Sequence, residues 1–230
     1  MSLGFFIIIF VMILTALWWL TSGRCADGKS ADEGVQSHQP PKQIPKYQKR
    51  TSELGIQFDE HGNPDMQSCF DVAFRQVTKD LTGVTDEQLG TLYTNLNEHK
   101  DDTVPKQAKA VIDALGSSNW QWVPHTVVAY SPSEYKEMAE AVANMVIKSM
   151  YQLRRYEQLM QMTEFNPYWQ FKRPSFEDSS EHCKVYDGVV KHYKDPFWQT
   201  IKLPCSPSCS CHIYSRSERE LARKGIVVGV

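Results

Sequence analysis

Four cysteines and three histidines lie close together in the C-terminal quarter of the chain. The cysteines are Cys183, Cys205, Cys209 and Cys211, and the histidines are His182, His192 and His212. Thiolates and imidazoles are the donors that Zn²⁺ prefers, and a structural zinc site takes four of them in a tetrahedron. We therefore expect a structural zinc site, with its ligands drawn from six residues: His182, Cys183, Cys205, Cys209, Cys211 and His212.

The spacing of these residues fixes only part of the ligand set. One residue separates Cys209 from Cys211, so in an extended strand both side chains point to the same face and can bind one ion. Either His182 or Cys183, together with either Cys205 or His212, can complete the set. Two alternatives stay open. An exported protein would form a Cys205–Cys209 or a Cys183–Cys211 disulfide, and otherwise the thiols stay reduced and uncoordinated.

Nucleophilic catalysis by Cys211 is a further hypothesis. It requires a lowered thiol pKa and a base, His182 or His212, within hydrogen-bond reach. Asp187 and Asp195 flank His192, but turn residues at the surface explain them as well as acid–base groups do. The chain has no Gly-rich phosphate loop, no His-Glu-x-x-His and no Gly-x-Ser-x-Gly motif. These observations favour a non-catalytic role.

The N-terminus predicts a membrane anchor over residues 1–22. Residues 4–20, GFFIIIFVMILTALWWL, carry no charge, and at about 1.5 Å per residue they roughly match the hydrocarbon core of a bilayer. Basic residues follow this run and none precedes it, which by the positive-inside tendency places the body in the cytosol. A secretory signal, cleaved on export, is the alternative. Residues 23–52 are polar and predict a flexible linker.

Residues 53–165 predict a helical region, because apolar residues recur there at spacings of three and four. The first helix is predicted from Asp65 through Leu81 to a stop at Gly83, with Cys69 on its buried face. Thr85 and Gln88 have the form of a capping box that begins the second helix. Thr103 is predicted to cap a third helix that Gly116 ends.

One long helix is predicted after a short strand or extended connector at Trp120 to Tyr130. Ser131, Pro132 and Glu134 have the residue types of a helix start, and the apolar series continues to about Thr163. Several methionines lie on its apolar face. We interpret them as core residues.

Residues 166–230 form a separate Cys/His-rich region of short extended segments. Those segments are predicted at Tyr168 to Lys172, Lys184 to Val190, and Ser210 to Tyr214, separated by turn residues. A short helix capped by Ser215, with Glu218, is predicted to run to Gly225. The predicted fold class is therefore α+β: an N-terminal transmembrane helix, a helical bundle with one long helix, a small antiparallel β unit and a short C-terminal helix.

Several motifs of this C-terminal region resemble a known family. They are Arg173-Pro174-Ser175, Gly188-Val189-Val190, Asp195-Pro196-Phe197-Trp198, Cys209-Ser210-Cys211 and Ser217-Glu218-Arg219-Glu220-Leu221. Their order and approximate spacing resemble the phage Mu protein F-like head morphogenesis family of minor head proteins. The family pattern differs in placing His directly after the Ser, a Pro-Pro-Asn-Gly-Trp loop at 203–208, and Arg at position 210.

The resemblance implies structural or assembly work, with no catalytic residues to carry over. We therefore expect a membrane-anchored, non-catalytic interaction or assembly protein of bacterial or prophage origin, with an unidentified protein partner. The alternatives are an exported, disulfide-bonded envelope protein and a Cys/His-dependent enzyme or toxin-like effector. The formal net charge of −2 gives no signal for nucleic acid.

Overall fold

The computed structural model describes residues 54–116, 120–123, 135–174 and 181–229. The predicted membrane anchor at residues 4–20, the linker at residues 23–52 and the predicted start of the long helix at Ser131 lie outside the described residues. Within the described ranges, no helix has the length and apolar character needed to cross a membrane.

Four helices form the first part of the described chain: α1 (Met66–Thr78), α2 (Asp86–Glu98), α3 (Val104–Leu115) and α4 (Tyr135–Gln161). Two short strands, β1 (Leu81–Thr82) and β2 (Gln121–Trp122), pair antiparallel, with Leu81 opposite Trp122. The long helix α4 packs against both α1 and α3. The predicted helical bundle with one long helix is therefore present.

Local sequence signals set most of the helix ends. The Thr85 side chain accepts a hydrogen bond from the Gln88 amide at 3.2 Å, and the Gln88 side chain accepts one from the Thr85 amide at 3.0 Å. This confirms the capping box. Gly116 follows α3 with a φ of 65°, a conformation that glycine adopts without steric cost. The predicted stop at Gly83 is wrong, because α1 ends at Thr78 and Leu81 pairs with Trp122 in a strand.

The helices enclose a core of aliphatic and aromatic side chains, here called the helical core. Its most deeply buried members include Phe70, Leu92, Leu96, Val111, Val142, Val146 and Met150. Cys69 lies in this core without solvent exposure, and burial raises the pKa of its thiol to about 11. Its predicted role as a small buried apolar residue is confirmed.

A three-stranded antiparallel sheet forms the second part: β3 (Tyr168–Lys172), β4 (Val190–His192) and β5 (His212–Arg216), in the order β4-β3-β5. A 3₁₀ helix (Glu181–Tyr186), a single-turn helix α5 (Phe197–Thr200) and a final helix α6 (Glu218–Lys224) accompany it. The mixture of helices with a small antiparallel sheet confirms the α+β class. The position of β3 is as predicted.

Two local predictions in this part are wrong. Residues 184–186 belong to the 3₁₀ helix, because the Asp187 amide bonds to the Lys184 carbonyl and Gly188 turns the chain with a φ of 86°. Ser215 pairs with Trp169 in the sheet, so Ser217 caps α6 instead and accepts a bond from the Glu220 amide at 3.2 Å.

A second core lies beneath this sheet and is here called the cysteine core. Its buried members are Leu159, Trp169, Phe171, Cys183, Trp198, Cys205, Cys209 and Cys211. Half of these residues are cysteines, which sets this core apart from the helical one.

Candidate metal centre

Four cysteines from two separate segments meet in the cysteine core. Cys183 comes from the 3₁₀ helix, while Cys205, Cys209 and Cys211 come from the irregular segment between α5 and β5. Their exposed fractions are 2%, 7%, 2% and 0%. The Sγ atoms of Cys183, Cys209 and Cys211 all lie within 4.8 Å of one another, and Cys205 Sγ lies 2.9 Å from Cys183 Sγ. The arrangement is a buried cluster of four thiols.

The Cys-x-Cys pair enters the cluster as its spacing predicts. Ser210 is exposed, whereas Cys209 and Cys211 on either side of it are buried. The Cys209 amide donates to the Ser206 carbonyl at 3.0 Å, and this turn directs the chain toward β5. The two side chains therefore lie on one side of an extended segment.

Cys183 reaches the cluster because the 3₁₀ helix folds back against the sheet. The Gly188 amide donates to the Phe171 carbonyl at 3.0 Å, and the ring of Tyr186 packs against that of Phe171 with centroids 5.9 Å apart. These contacts hold residues 181–188 beside β3, where Cys183 points inward.

Helix α4 braces the cysteine-bearing segment through two polar side chains. Lys148 Nζ donates to the Pro207 carbonyl at 2.6 Å, and Gln152 Nε2 donates to the Cys211 carbonyl at 3.1 Å. Residues four apart lie on one face of a helix, so the two contacts act together. The sequence gives no signal for them, because Lys and Gln on a helix ordinarily face solvent.

Hydrogen bonds among the thiols shift their pKa values in opposite directions. Hydrogen bonds with Cys183, Cys205 and Cys211 hold the pKa of Cys209 far below its ordinary range. Hydrogen bonds with Cys183 and Cys209, together with burial, raise the pKa of Cys205. The half-buried Lys148 lies nearby, and its pKa is lowered by burial, an effect that the negative charge of Cys209 opposes. Hydrogen bonding within the cluster therefore favours the thiolate form of Cys209, the form in which a thiol binds a metal ion.

The closest sulfurs of the cluster lie nearer to one another than the ligands of a zinc ion do. Zn–S bonds of about 2.3 Å in a tetrahedron place the sulfur atoms about 3.8 Å apart. The 2.9 Å between Cys183 and Cys205 is shorter than that and longer than a disulfide bond of about 2.05 Å. Separating these two sulfurs by less than 1 Å, roughly, would produce the tetrahedral spacing. All four cysteines are free thiols.

The structure brings together the four cysteines of the predicted ligand set and leaves its two histidines at the surface. His182 and His212 are both exposed. The His182 ring packs against Tyr186 at a centroid distance of 5.9 Å, and the His212 ring lies 6.3 Å from that of Tyr214. Each histidine is the immediate neighbour of a cluster cysteine and points away from it.

This geometry does not favour a nucleophilic role for Cys211. Its side chain is completely buried. A hydrogen bond with Cys183 lowers the pKa of Cys211, but the bond with Cys209 and burial outweigh it and raise the pKa to about 12. A buried thiol with a raised pKa is a poor nucleophile.

The Asp195-Pro196-Phe197-Trp198 motif closes one side of the cysteine core. The Asp195 side chain accepts a bond from the Phe197 amide at 2.9 Å and starts the single turn α5. Trp198 packs against Trp169 with centroids 5.6 Å apart, and its indole nitrogen donates to the His192 carbonyl at 3.0 Å. The motif is therefore structural here. Ser175 of the Arg173-Pro174-Ser175 motif lies outside the described residues.

Comparison with known proteins places a phage capsid assembly protein among those that this chain resembles. The relative is "Putative capsid assembly protein F" of Escherichia phage Mu, which is 29% identical over 94 residues. The match covers 38% of this chain and 20% of that protein, so the chain spans about a fifth of its relative's length. It supports the relationship to phage head morphogenesis proteins that the motifs predicted. No family model matches the chain. No solved structure matches it either.

Proposed function

We propose that this chain is a non-catalytic assembly protein that binds other proteins, and that a structural zinc ion held by four cysteines stabilises its C-terminal part. The observation that carries the proposal is the buried cluster of Cys183, Cys205, Cys209 and Cys211. The similarity to a phage capsid assembly protein supports the assembly role.

The zinc ion would stabilise a part of the chain with a small apolar core. A three-stranded sheet with strands of three to five residues buries little apolar area by itself. A zinc ion held by these cysteines would join the 3₁₀ helix to the segment before β5 and would add its binding free energy to folding. Four thiolate ligands would leave no open position for a substrate, as is usual for structural zinc.

Elemental analysis of the purified protein tests the zinc site. We expect about one zinc ion per chain, and we expect Cys209→Ser to lose it because that thiol contacts the other three. Cys69→Ser is the matched control: it makes the same change at a buried cysteine of the helical core and should keep the ion. Protein that contains no zinc after incubation with zinc chloride would contradict the proposal.

A second measurement covers the case in which Cys209→Ser does not fold. Co²⁺ replaces Zn²⁺ in tetrahedral sites and gives sulfur-to-cobalt absorption bands. Wild-type protein loaded with Co²⁺ should show bands typical of a tetrathiolate centre. A spectrum typical of octahedral Co²⁺ with oxygen ligands would exclude this ligand set.

Co-sedimentation tests the assembly role. The chain would be expressed with the capsid shell protein of the phage or prophage that encodes it, and the lysate would be solubilised with detergent and separated on a density gradient. We expect the chain in the fraction that contains head-sized particles. A chain that stays at the top of the gradient while particles form would argue against the assembly role.

The proposal includes the membrane anchor at residues 4–20 and a cytosolic body. Its support is the uncharged run and the basic residues that follow it in the sequence. We expect the chain in the membrane fraction at its full mass, and Ile9→Arg in the soluble fraction. A mature protein that lacks the N-terminal segment would indicate the exported alternative.

A further inference from the structure

A cavity of about 440 Å³ lies between the helical core and the cysteine core. Its wall is aromatic: Trp122 comes from β2, Trp169 from β3 and Trp198 from α5. Leu153 of α4 and Ile213 of β5 add aliphatic surface. Cavities of roughly 300–1,000 Å³ with mainly apolar walls are typical of binding sites. No cysteine of the metal cluster lines the cavity, so it is a separate feature.

Positive charge surrounds this apolar wall. Lys79, Arg155 and Lys202 line the cavity, and Asp80 is the one acidic residue among the described residues that line it. Lys79 and Lys202 are exposed and Arg155 is half-buried. In the described part of the chain, no carboxylate forms an ion pair with any of these three cations. Their charges are therefore available to a ligand.

We propose that this cavity binds an acidic segment of a protein partner, which inserts one bulky apolar side chain between the tryptophans. Carboxylates on either side of that side chain would contact Lys79, Arg155 and Lys202. A protein segment is chosen as the ligand because the inference rests on the proposed function of binding proteins. The residues that line the cavity then indicate the chemistry of the partner.

Apolar and charged groups would contribute differently to this binding. The buried apolar side chain supplies affinity, since aromatic walls remove a large apolar area from water. The cations select an acidic partner and accelerate its association with the cavity. This effect weakens as the salt concentration rises.

A labelled peptide tests the site on the purified full-length chain. The probe is a fluorescein-labelled peptide with a Leu-Phe pair flanked on both sides by Asp and Glu. Two control peptides replace either the acids by Lys or the Leu-Phe pair by Ser-Gly. Fluorescence anisotropy should show binding of the first peptide that is at least about tenfold tighter than that of either control.

Charge reversal locates the binding. Arg155→Glu combined with Lys202→Glu should lower the affinity for the acidic peptide by about tenfold or more and raise the affinity for the Lys peptide. Arg219→Glu combined with Arg223→Glu is the matched control, because these two residues are exposed on α6 and carry the same charge change. It should bind like the wild type. Equal thermal unfolding temperatures would show that both variants fold.

Three results would overturn the inference. The first is that the acidic and Lys peptides bind equally. The second is that the control variant loses as much affinity as the cavity variant. The third is that the wild type sediments as a dimer and the cavity variant as a monomer, which would mean that a second copy of the chain occupies the cavity.

The outcome for the cavity is separable from the outcome for the proposed function. If the protein contains zinc and enters head particles but does not bind the acidic peptide, only the cavity proposal is excluded. If the protein binds the peptide but contains no zinc, only the proposed metal centre is excluded.

Discussion

The helical core and the cysteine core are built by different means. The helical core buries side chains from four helices, with Phe70, Leu92, Val111 and Val146 among its members. The cysteine core has eight buried residues, of which four are cysteines. Aliphatic and aromatic side chains make up nearly all of the first, whereas thiols make up half of the second. The two regions should therefore respond to different perturbations.

Metal removal should have the largest effect on stability, and it should destabilise the cysteine core more than the helical core. Structural zinc contributes about 10–16 kcal/mol in small zinc peptides, so we expect a chelator to destabilise the cysteine core by at least about 5 kcal/mol. Amide hydrogen exchange should show lost protection in β3 and β5 and retained protection in α1 and α3. Equal loss in both regions would mean that the cores depend on one another.

Phe70→Ala should give the next largest effect, confined to the helical core. The Phe70 side chain is completely buried, and removing it leaves a cavity that costs about 3–5 kcal/mol. Denaturant unfolding should show the same loss with and without a chelator. Phe165→Ala is the control, because Phe165 is 76% exposed, and its effect should stay within about 0.5 kcal/mol. A loss that depends on the chelator would contradict separate stabilisation.

Thr85→Ala should give a smaller effect at the start of α2. The substitution removes the side chain that accepts from the Gln88 amide and should cost about 1 kcal/mol. Thr91→Ala is the matched control, since the exposed Thr91 hydroxyl bonds only within the helix, to the Glu87 carbonyl. Thermal unfolding that is equal for the two variants would show that the cap contributes nothing.

The smallest effect expected is a pH dependence at α6, near the sheet. A hydrogen bond from Lys224 and the charge of Arg216 lower the pKa of Glu220 below its ordinary value of 4.5. A lowered pKa gives stability that is present above pH 4.5 and is lost as the pH falls below it. Glu220→Gln should therefore be less stable than wild type at pH 7, and the difference should shrink toward pH 3.

Glu98→Gln is the control for that measurement, because Glu98 is exposed at the end of α2. Its stability should lie within about 0.5 kcal/mol of the wild type at pH 7. A Glu220→Gln variant that tracks the wild type at every pH would show that the contacts with Lys224 and Arg216 do not stabilise the fold.

The sequence predicts elements whose signals are local. The capping box at Thr85, the position of β3 and the end of α4 near Thr163 depend on residues close in the chain. The end of α1 could not be predicted this way. Leu81 leaves the helical pattern because it pairs with Trp122, and a partner so far along the chain leaves no local signal.

The candidate metal centre shows the same limit. The alternation that places Cys209 and Cys211 on one face places His212, the next residue, on the other face, and His212 is exposed. The approach of Cys183 to Cys205 at 2.9 Å depends on how the 3₁₀ helix packs, which spacing does not reveal. The contacts of Lys148 and Gln152 could not be predicted either, because Lys and Gln on a helix ordinarily face solvent.

Helix α4 contributes to both cores along one unbroken length. Val142 and Met150 lie in the helical core, and Leu159 lies in the cysteine core. One inserted residue between Met150 and Leu159 would rotate all later positions by about 100° and shift them by about 1.5 Å. Leu159 would then leave its place beneath the sheet. The register of this helix is thus fixed by both cores at once. We expect insertions and deletions in natural relatives to be absent between Met150 and Leu159.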